Sequence, residues 1–255
     1  MGKIKIDDYI HAPAIIAGLP ESYPSAMVSG RVVDISGKKL IITLPDGGLS
    51  QPIYKNLIRK KLGLFIVQIG DYHTEDTLLV PLRKSILHYS RLILTDDYIK
   101  CVSIRNTNEL RYFWEQNHAL MSHLILIAHG KSDSILFGKN NWVNAKELLS
   151  VLKVEDEIGE AKQIISLCCK TGGVKFGKVI SGSQLCELFI GPSGLIHGAN
   201  ASQFYQTYLS YHFIHGYSPD RAYDYARVAM PGLTEFNLWR KTRMAIKMSK
   251  KEIFS

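Results

Sequence analysis

The chain has 255 residues, of which 46% are apolar and 21% charged, enough for one large α/β domain or two small ones with a sizeable core. No apolar stretch approaches the roughly 18 residues a membrane span needs. The N-terminal Met1-Gly2-Lys3-Ile4-Lys5-Ile6 has neither a signal-peptide h-region nor the Ser or Thr that myristoylation requires, so a soluble, cytoplasmic protein is expected. The net charge of +8 invites a nucleic-acid reading. Its distribution favours solvated faces instead, with one cluster at Arg59, Lys60 and Lys61 and a second at Arg240, Lys241, Arg243, Lys247, Lys250 and Lys251. Four cysteines without CxxC or CxxH spacing, two of them adjacent, indicate reduced thiols and no zinc site. The sequon Asn200-Ala201-Ser202 is read as chance.

Residues 1–62 predict a small β-rich extension. Arg31–Ile35 and Leu40–Leu44 flank a glycine-containing turn as a hairpin, and five prolines between positions 13 and 52 argue against long helices. From 63 to 232 the rhythm changes. Leu64–Ile69 reads as a buried strand, 79–91 as a helix, Cys101–Ile104 as a strand and 107–119 as a helix. Leu124–Ile127 is a buried strand ending at His129-Gly130. A hairpin follows at 135–143, then a helix from Ala145 to Leu152 capped by Asn144.

Ile164–Leu167 is the next buried strand, ending at Cys168-Cys169-Lys170-Thr171-Gly172. Beyond it the pattern predicts a short helix at Ser183–Phe189, a strand at Gly194–His197, and helices at 201–215 and 219–230, the last opened by Ser218-Pro219. Residues 233–255 form a basic tail that can be drawn as a helix over Leu238–Ile253. Strands alternating with helices imply a mostly parallel sheet covered on both faces, with chemistry at the carboxyl ends of the strands.

The two glycine-marked strand ends carry that chemistry. A thiol beside an imidazole is a nucleophile beside a proton carrier: a free cysteine with a pKa near ~8.5 is largely protonated at neutral pH, and the imidazole assists ionisation and later protonates the leaving amine. A glycine after the histidine lets the backbone approach a substrate closely. Each residue alone is commonly an ordinary core residue; the ordered pair in matching strand contexts carries the reading.

A buried strand ending in His-Gly, then a helix, then a buried strand ending in Cys-x-x-Gly resembles the caspase-like (clan CD) cysteine peptidases. Phe137, Trp142, the Ala145–Leu149 helix, the Gly191–Ile196 segment and the Tyr217–Ala222 helix start are most similar to the CHAT branch. The likeness covers roughly residues 64–230. It implies a caspase-like three-layer α/β sandwich with a mostly parallel central sheet, the small β-rich extension being additional. It also implies a cysteine endopeptidase with Cys169 as nucleophile, His129 as general acid/base and the Gly130 and Cys169 backbone N–H groups as oxyanion hole, needing no cofactor or metal. The family pattern places a small residue before the nucleophile and a glycine three after it, which Cys169 satisfies; Cys168 is the alternative, although strand alternation lets only one of the two face a cleft. Leu167 departs from the acidic or amide residue usual two before the nucleophile.

The loop after the first strand offers Asp71, His73, Glu75 and Asp76, so Asp71, Glu75 and Asp76 are expected to bind a basic substrate side chain. Lys170, Lys175 and Lys178 argue the other way. Asp133 is a weaker candidate for orienting His129, and His123 and His197 are read as structural. The resemblance implies a specific protein substrate and an upstream activator or sensor protein, as for effectors in bacterial defence and cell-death systems. The rival reading is a catalytically silent caspase-like module that binds protein or, less favoured, nucleic acid.

Overall fold

The computed structural model describes residues 4–154, 161–230 and 235–245. Four short strands come first: β1 (Tyr9–Pro13), β2 (Met27–Ser36), β3 (Lys39–Ile42) and β4 (Ile53–Tyr54), forming an antiparallel sheet in that order. The expected hairpin is β2–β3, closed by Gly37 and Lys38 with Ser36 opposite Lys39; Gly37 has φ +55°, a conformation that costs glycine little. This sheet closes its own small core of Ile10, Val28, Val32, Leu40, Ile42 and Ile53. It packs on the rest through the His11 and Tyr98 rings, 5.3 Å apart, and a Ser29–Tyr98 hydroxyl contact of 3.2 Å.

The remaining strands are β5 (Gly63–Ile69), β6 (Ile99–Ile104), β7 (Met121–Ile127), the hairpin β8 (Ser134–Phe137) and β9 (Asn141–Asn144), β10 (Lys162–Ser166), β11 (Cys186–Pro192), β12 (Phe236–Arg240) and β13 (Arg243–Met244). Helices are α1 (Val80–Ile93), α2 (Thr107–Asn117), α3 (Ala145–Leu152), α4 (Val174–Ser181), α5 (Gly198–Leu209) and α6 (Pro219–Ala229). The main sheet runs β13-β12-β11-β10-β7-β5-β6, with β6, β5, β7, β10 and β11 mutually parallel and β12 and β13 antiparallel at one edge. The molecule is therefore a three-layer α/β sandwich with a mostly parallel sheet and a small β-rich extra sheet.

Alternation of side chains sorts the two cores. Leu64, Ile66, Ile125, Ile127, Ile165 and Leu167 face α1, α5 and α6. Phe65, Val67, Leu124, Leu126, Ala128, Ile164 and Cys168 face α2, α3 and α4. Local signals set several boundaries. Asn144 accepts from the Lys146 and Glu147 amides while Glu147 returns a bond to the Asn144 amide, a complete capping box. Ser218 caps α6 with Pro219 as its first helical residue.

Three expectations fail after Gly172. The helix drawn at Ser183–Phe189 is largely strand β11, the strand drawn at Gly194–His197 is the loop leading into α5, and α4 was not foreseen. Cys186–Pro192 is buried at six of its seven positions between helices and neighbouring strands, and so short an apolar run has no periodicity that separates helix from strand. The helix drawn over Leu238–Ile253 is also replaced: Phe236–Arg240 pairs antiparallel with β11 and turns at Lys241-Thr242 into β13. The remainder of that drawn helix, 246–253, lies outside the described residues.

Candidate functional site

The His-Gly and Cys-Cys strand ends are brought together. β7 and β10 are parallel neighbours, with Gln163 opposite His123 and Ser166 opposite Leu126, and Leu167 N–H donates to Leu126 O at 2.8 Å. Continuing that register sets Cys169 beside His129. The same alternation that puts Ile127 and Leu167 towards α1, α5 and α6 puts Cys169 and His129 on that side. Cys168 points the other way. It is fully buried against Ala128 and Phe176, its sulfur meets Leu126 O at 3.6 Å, and burial pushes its thiol up to about 12. Cys169 is half-buried. Burial thus disfavours the Cys168 thiolate, whereas Cys169 is the more exposed of the two thiols.

A closed ring of hydrogen bonds shapes the turn that presents it. Cys168 N–H donates to Ser166 Oγ (3.3 Å), the Ser166 and Thr171 hydroxyls meet at 2.8 Å, and Thr171 Oγ1 returns a bond to Cys168 O at 2.8 Å. Lys170, with φ +63°, turns the chain and donates its N–H to Gly194 O. Gly172 then passes so close to β11 that a Cβ there would lie 1.9 Å from Gly191 O. Its carbonyl accepts from Trp239 Nε1 (2.8 Å) and Asn237 Nδ2 (3.0 Å). The Cys169 sulfur is placed by Ile196, whose N–H lies 3.4 Å away and whose carbonyl oxygen lies 3.8 Å away.

His129 is held from the loop after the neighbouring strand β5. Its Nε2 lies 2.5 Å from Thr74 Oγ1 and 3.2 Å from Asp71 Oδ2. Asp71 is 6% exposed at its side chain and accepts from the His73 and Thr74 amides and the Thr74 hydroxyl. Burial alone would raise its pKa. The bonds from Thr74 and His73 and the facing His129 outweigh that, so its carboxyl is held below its ordinary value of 3.8. With Nε2 engaged, Nδ1 is the ring nitrogen left open. Among the described residues no hydrogen bond joins His129 to the Cys169 sulfur, and neither the Gly130 nor the Cys169 amide donates to a protein acceptor. Gly130 is pressed against the cysteine turn: a Cβ there would meet Cys169 O at 2.5 Å and Cys168 Cβ at 2.9 Å.

Of the three carboxylates expected to bind a basic substrate side chain, two have partners inside the protein. Asp71 is consumed by His129 and its own turn. Glu75 accepts from Gln68 Nε2 at 3.1 Å and Arg105 at 2.9 Å, which neutralises it. Asp76 is exposed. Asp133 takes the Ser134 hydroxyl, and the carboxylate that meets His129 is Asp71. His197 caps α5 through Nδ1, and His123 is buried with Nδ1 on Ser122.

No family model and no curated protein matches this chain. Among solved structures it is similar to a secreted C11 cysteine protease from Bacteroides thetaiotaomicron determined with an irreversible peptide inhibitor. The TM-score is 0.49 and the identity 11%, over 71% of this chain and 67% of that one. At that distance the likeness carries no residue role or activity to this chain.

Among the described residues no three His, Cys, Asp or Glu side chains gather as a metal site, and no helix is long and apolar enough to cross a membrane. Sequence reasoning missed Thr74, Ile196, Trp239 and Asn237. Asp71-Tyr72-His73-Thr74 does carry a local signal: an aspartate followed by a hydroxyl residue is a common side-chain-closed turn, which buries the carboxylate behind its own backbone. Trp239 and Asn237 lie 65 or more residues from the turn they brace and leave no local mark.

Proposed function

We propose that the chain is a caspase-like cysteine endopeptidase with Cys169 as nucleophile and His129 as general acid/base. The observation that carries the reading is the shared placement of a half-buried thiol and an imidazole whose far nitrogen is fixed by Asp71 and Thr74. Asp71 is a positioning residue: it holds the ring so that Nδ1 faces the thiol side and offsets the charge of the imidazolium. In acylation the Cys169 sulfur bonds to the scissile carbonyl carbon while its proton passes to His129. The resulting oxyanion is offered the two undonated amides of Gly130 and Cys169, each such donor being worth about 2.7–4 kcal/mol in related chemistry. Collapse breaks the C–N bond, the amine leaves with the proton from His129, and water, deprotonated by His129, hydrolyses the thioester.

With Asp71 and Glu75 both engaged, only Asp76 of the acidic loop remains to meet a basic substrate side chain. Lys170, exposed beside the nucleophile, favours an acidic one. Action on a specific partner protein under an upstream activator, as a CHAT-type defence effector, is the finer reading suggested by the sequence resemblance. The rival, a silent binding module, draws on the absence of a Cys169–His129 hydrogen bond. Labelling with an irreversible peptidyl acyloxymethyl ketone, read by peptide mapping, separates them. One adduct on Cys169, absent in Cys169→Ala and His129→Ala and retained in Cys168→Ala, is expected. An adduct on Cys168, or none in the wild-type chain, overturns the assignment.

A further inference from the structure

At the amino ends of β7, β10 and β11, opposite the cysteine turn, lies a cavity of about 440 Å³. Among the described residues four cations line it, Arg59, Lys60, Lys61 and Lys162, beside one carboxylate, Glu187, whose Oε1 is 3.5 Å from Arg240. Lys60 is offset by Asp8 at 3.3 Å. Lys162 is 1% exposed and donates to His118 O (2.7 Å) and Met121 O (2.6 Å).

Arg59 is the decisive residue. Among the described residues its Nη2 donates to the His212 carbonyl (3.0 Å) and lies 3.2 Å from His212 Nδ1, which itself faces Tyr217 O at 2.9 Å, and its guanidinium lies over the Phe213 ring at 5.4 Å. Its Nε is buried without a partner, and so are the Nε2 atoms of fully buried His123 and His212 beside it. No carboxylate among the described residues pairs with Arg59 or Lys61. Burial depresses the Arg59 guanidinium to about 10, a shift that Tyr208 and Glu187 only partly oppose. Buried cations are ordinarily paired, because desolvating an unpaired one is expensive. The volume falls within the range of small-molecule sites, and Asn56 and Gln163 add polar side chains to the wall.

We propose that this cavity binds a phosphorylated small molecule of roughly nucleotide size, with Arg59 and Lys61 as its principal anion contacts. The site is separate from the cysteine turn: the seven residues of β7 span about 20 Å between them. It therefore stands or falls independently of the peptidase reading.

The test is calorimetric titration and thermal unfolding of the full chain, wild type and Cys169→Ala, with inorganic phosphate, pyrophosphate and ATP. Sodium chloride at matched ionic strength is the control. At least one phosphate probe is expected to bind saturably, to raise Tm beyond chloride, and to bind Cys169→Ala equally well. Lys61→Glu and Arg59→Gln should each weaken Kd tenfold or more. Lys61 is half-buried at the cavity wall, so Lys61→Glu keeps the test valid should Arg59→Gln fail to fold. Failure of all three probes to exceed chloride at 10-millimolar order, or undiminished binding in the variants, overturns the proposal, as does binding confined to an oligonucleotide.

Discussion

The two ends of the parallel sheet each bury a charge, and they treat it in opposite ways. At the carboxyl end Asp71 is wrapped by two amides, a hydroxyl and an imidazole, so its ionised form is favoured despite burial. At the amino end half-buried Arg59 sits against a carbonyl, an imidazole and an aromatic face, and no carboxylate among the described residues forms a salt bridge with it. A compensated buried charge fixes geometry, and here it fixes the ring of His129. An uncompensated one is a standing cost that a ligand can remove. The contrast separates the proposed proton chemistry at one edge from the proposed anion site at the other.

The largest effect expected from breaking this contrast is at Asp71. Asp71→Asn keeps the shape but removes the charge, and peptide-substrate kcat/KM should fall about 10²–10⁴-fold, the usual worth of a correctly held general acid/base. A kcat loss with little change in KM, and a displaced acid limb of the pH profile, would mark positioning. Unchanged kinetics would remove Asp71 from the site.

Next is the backbone that both strand ends require. Gly172→Ala would drive a methyl into Gly191 O and Gly130→Ala one into Cys169 O. Backbone carbonyls of a paired strand (Gly191) and of a hydrogen-bonded turn (Cys169) cannot yield as a flexible side chain does. Each should cost about 3 kcal/mol or more in urea unfolding, at the upper end of overpacking. A loss under 1 kcal/mol would mean the sheet edge is pliable.

The third test uses pH. His11 is held at about 4 by burial, His123 at about 3 by burial and then Arg59, and His212 is lowered likewise. Their folded values lie below the unfolded value of 6.5, so the unfolded chain takes up protons first. Stability is full above pH 6.5 and falls as pH drops towards 4, by on the order of 3 kcal/mol for each group that stays neutral. Asp71 behaves as a depressed carboxylate: its contribution is present above 3.8 and lost only below it. The amino end should therefore fail first on acidification. His123→Phe should flatten the pH 4–6.5 slope; an unaltered slope would assign the acid lability elsewhere.

The smallest effect is expected at Asp76. Asp76→Ala should change stability by no more than about 0.5 kcal/mol, as exposed substitutions do. A large drop in cleavage after basic residues would restore the acidic-loop specificity that Asp71 and Glu75 no longer support.

Much of this arrangement was legible in the residues themselves. The buried runs at 64–69 and 124–127, the Asn144 capping box and the Ser218-Pro219 helix start are local statements, because propensity, capping and periodicity act over a few residues. Alternation says that Cys168 and Cys169 face opposite sides, and the preference for Cys169 comes from the family pattern around it. Asp71 is visible in sequence as a loop carboxylate, but a carboxylate in a loop looks the same there whether it faces water or an imidazole. The run at 186–192 was given the wrong element, because burial on both faces erases the period that distinguishes a strand. Sequence determined the parallel α/β layering and set His129 and Cys169 at the ends of two buried strands, both written in contiguous segments. Only the tertiary structure decided that Trp239 and Asn237 brace Gly172, that Thr74 and Asp71 hold His129, and that Arg59 meets His212 across 153 residues. Those contacts depend on which distant surfaces pack together, a global balance of burial and chain entropy that no local pattern encodes.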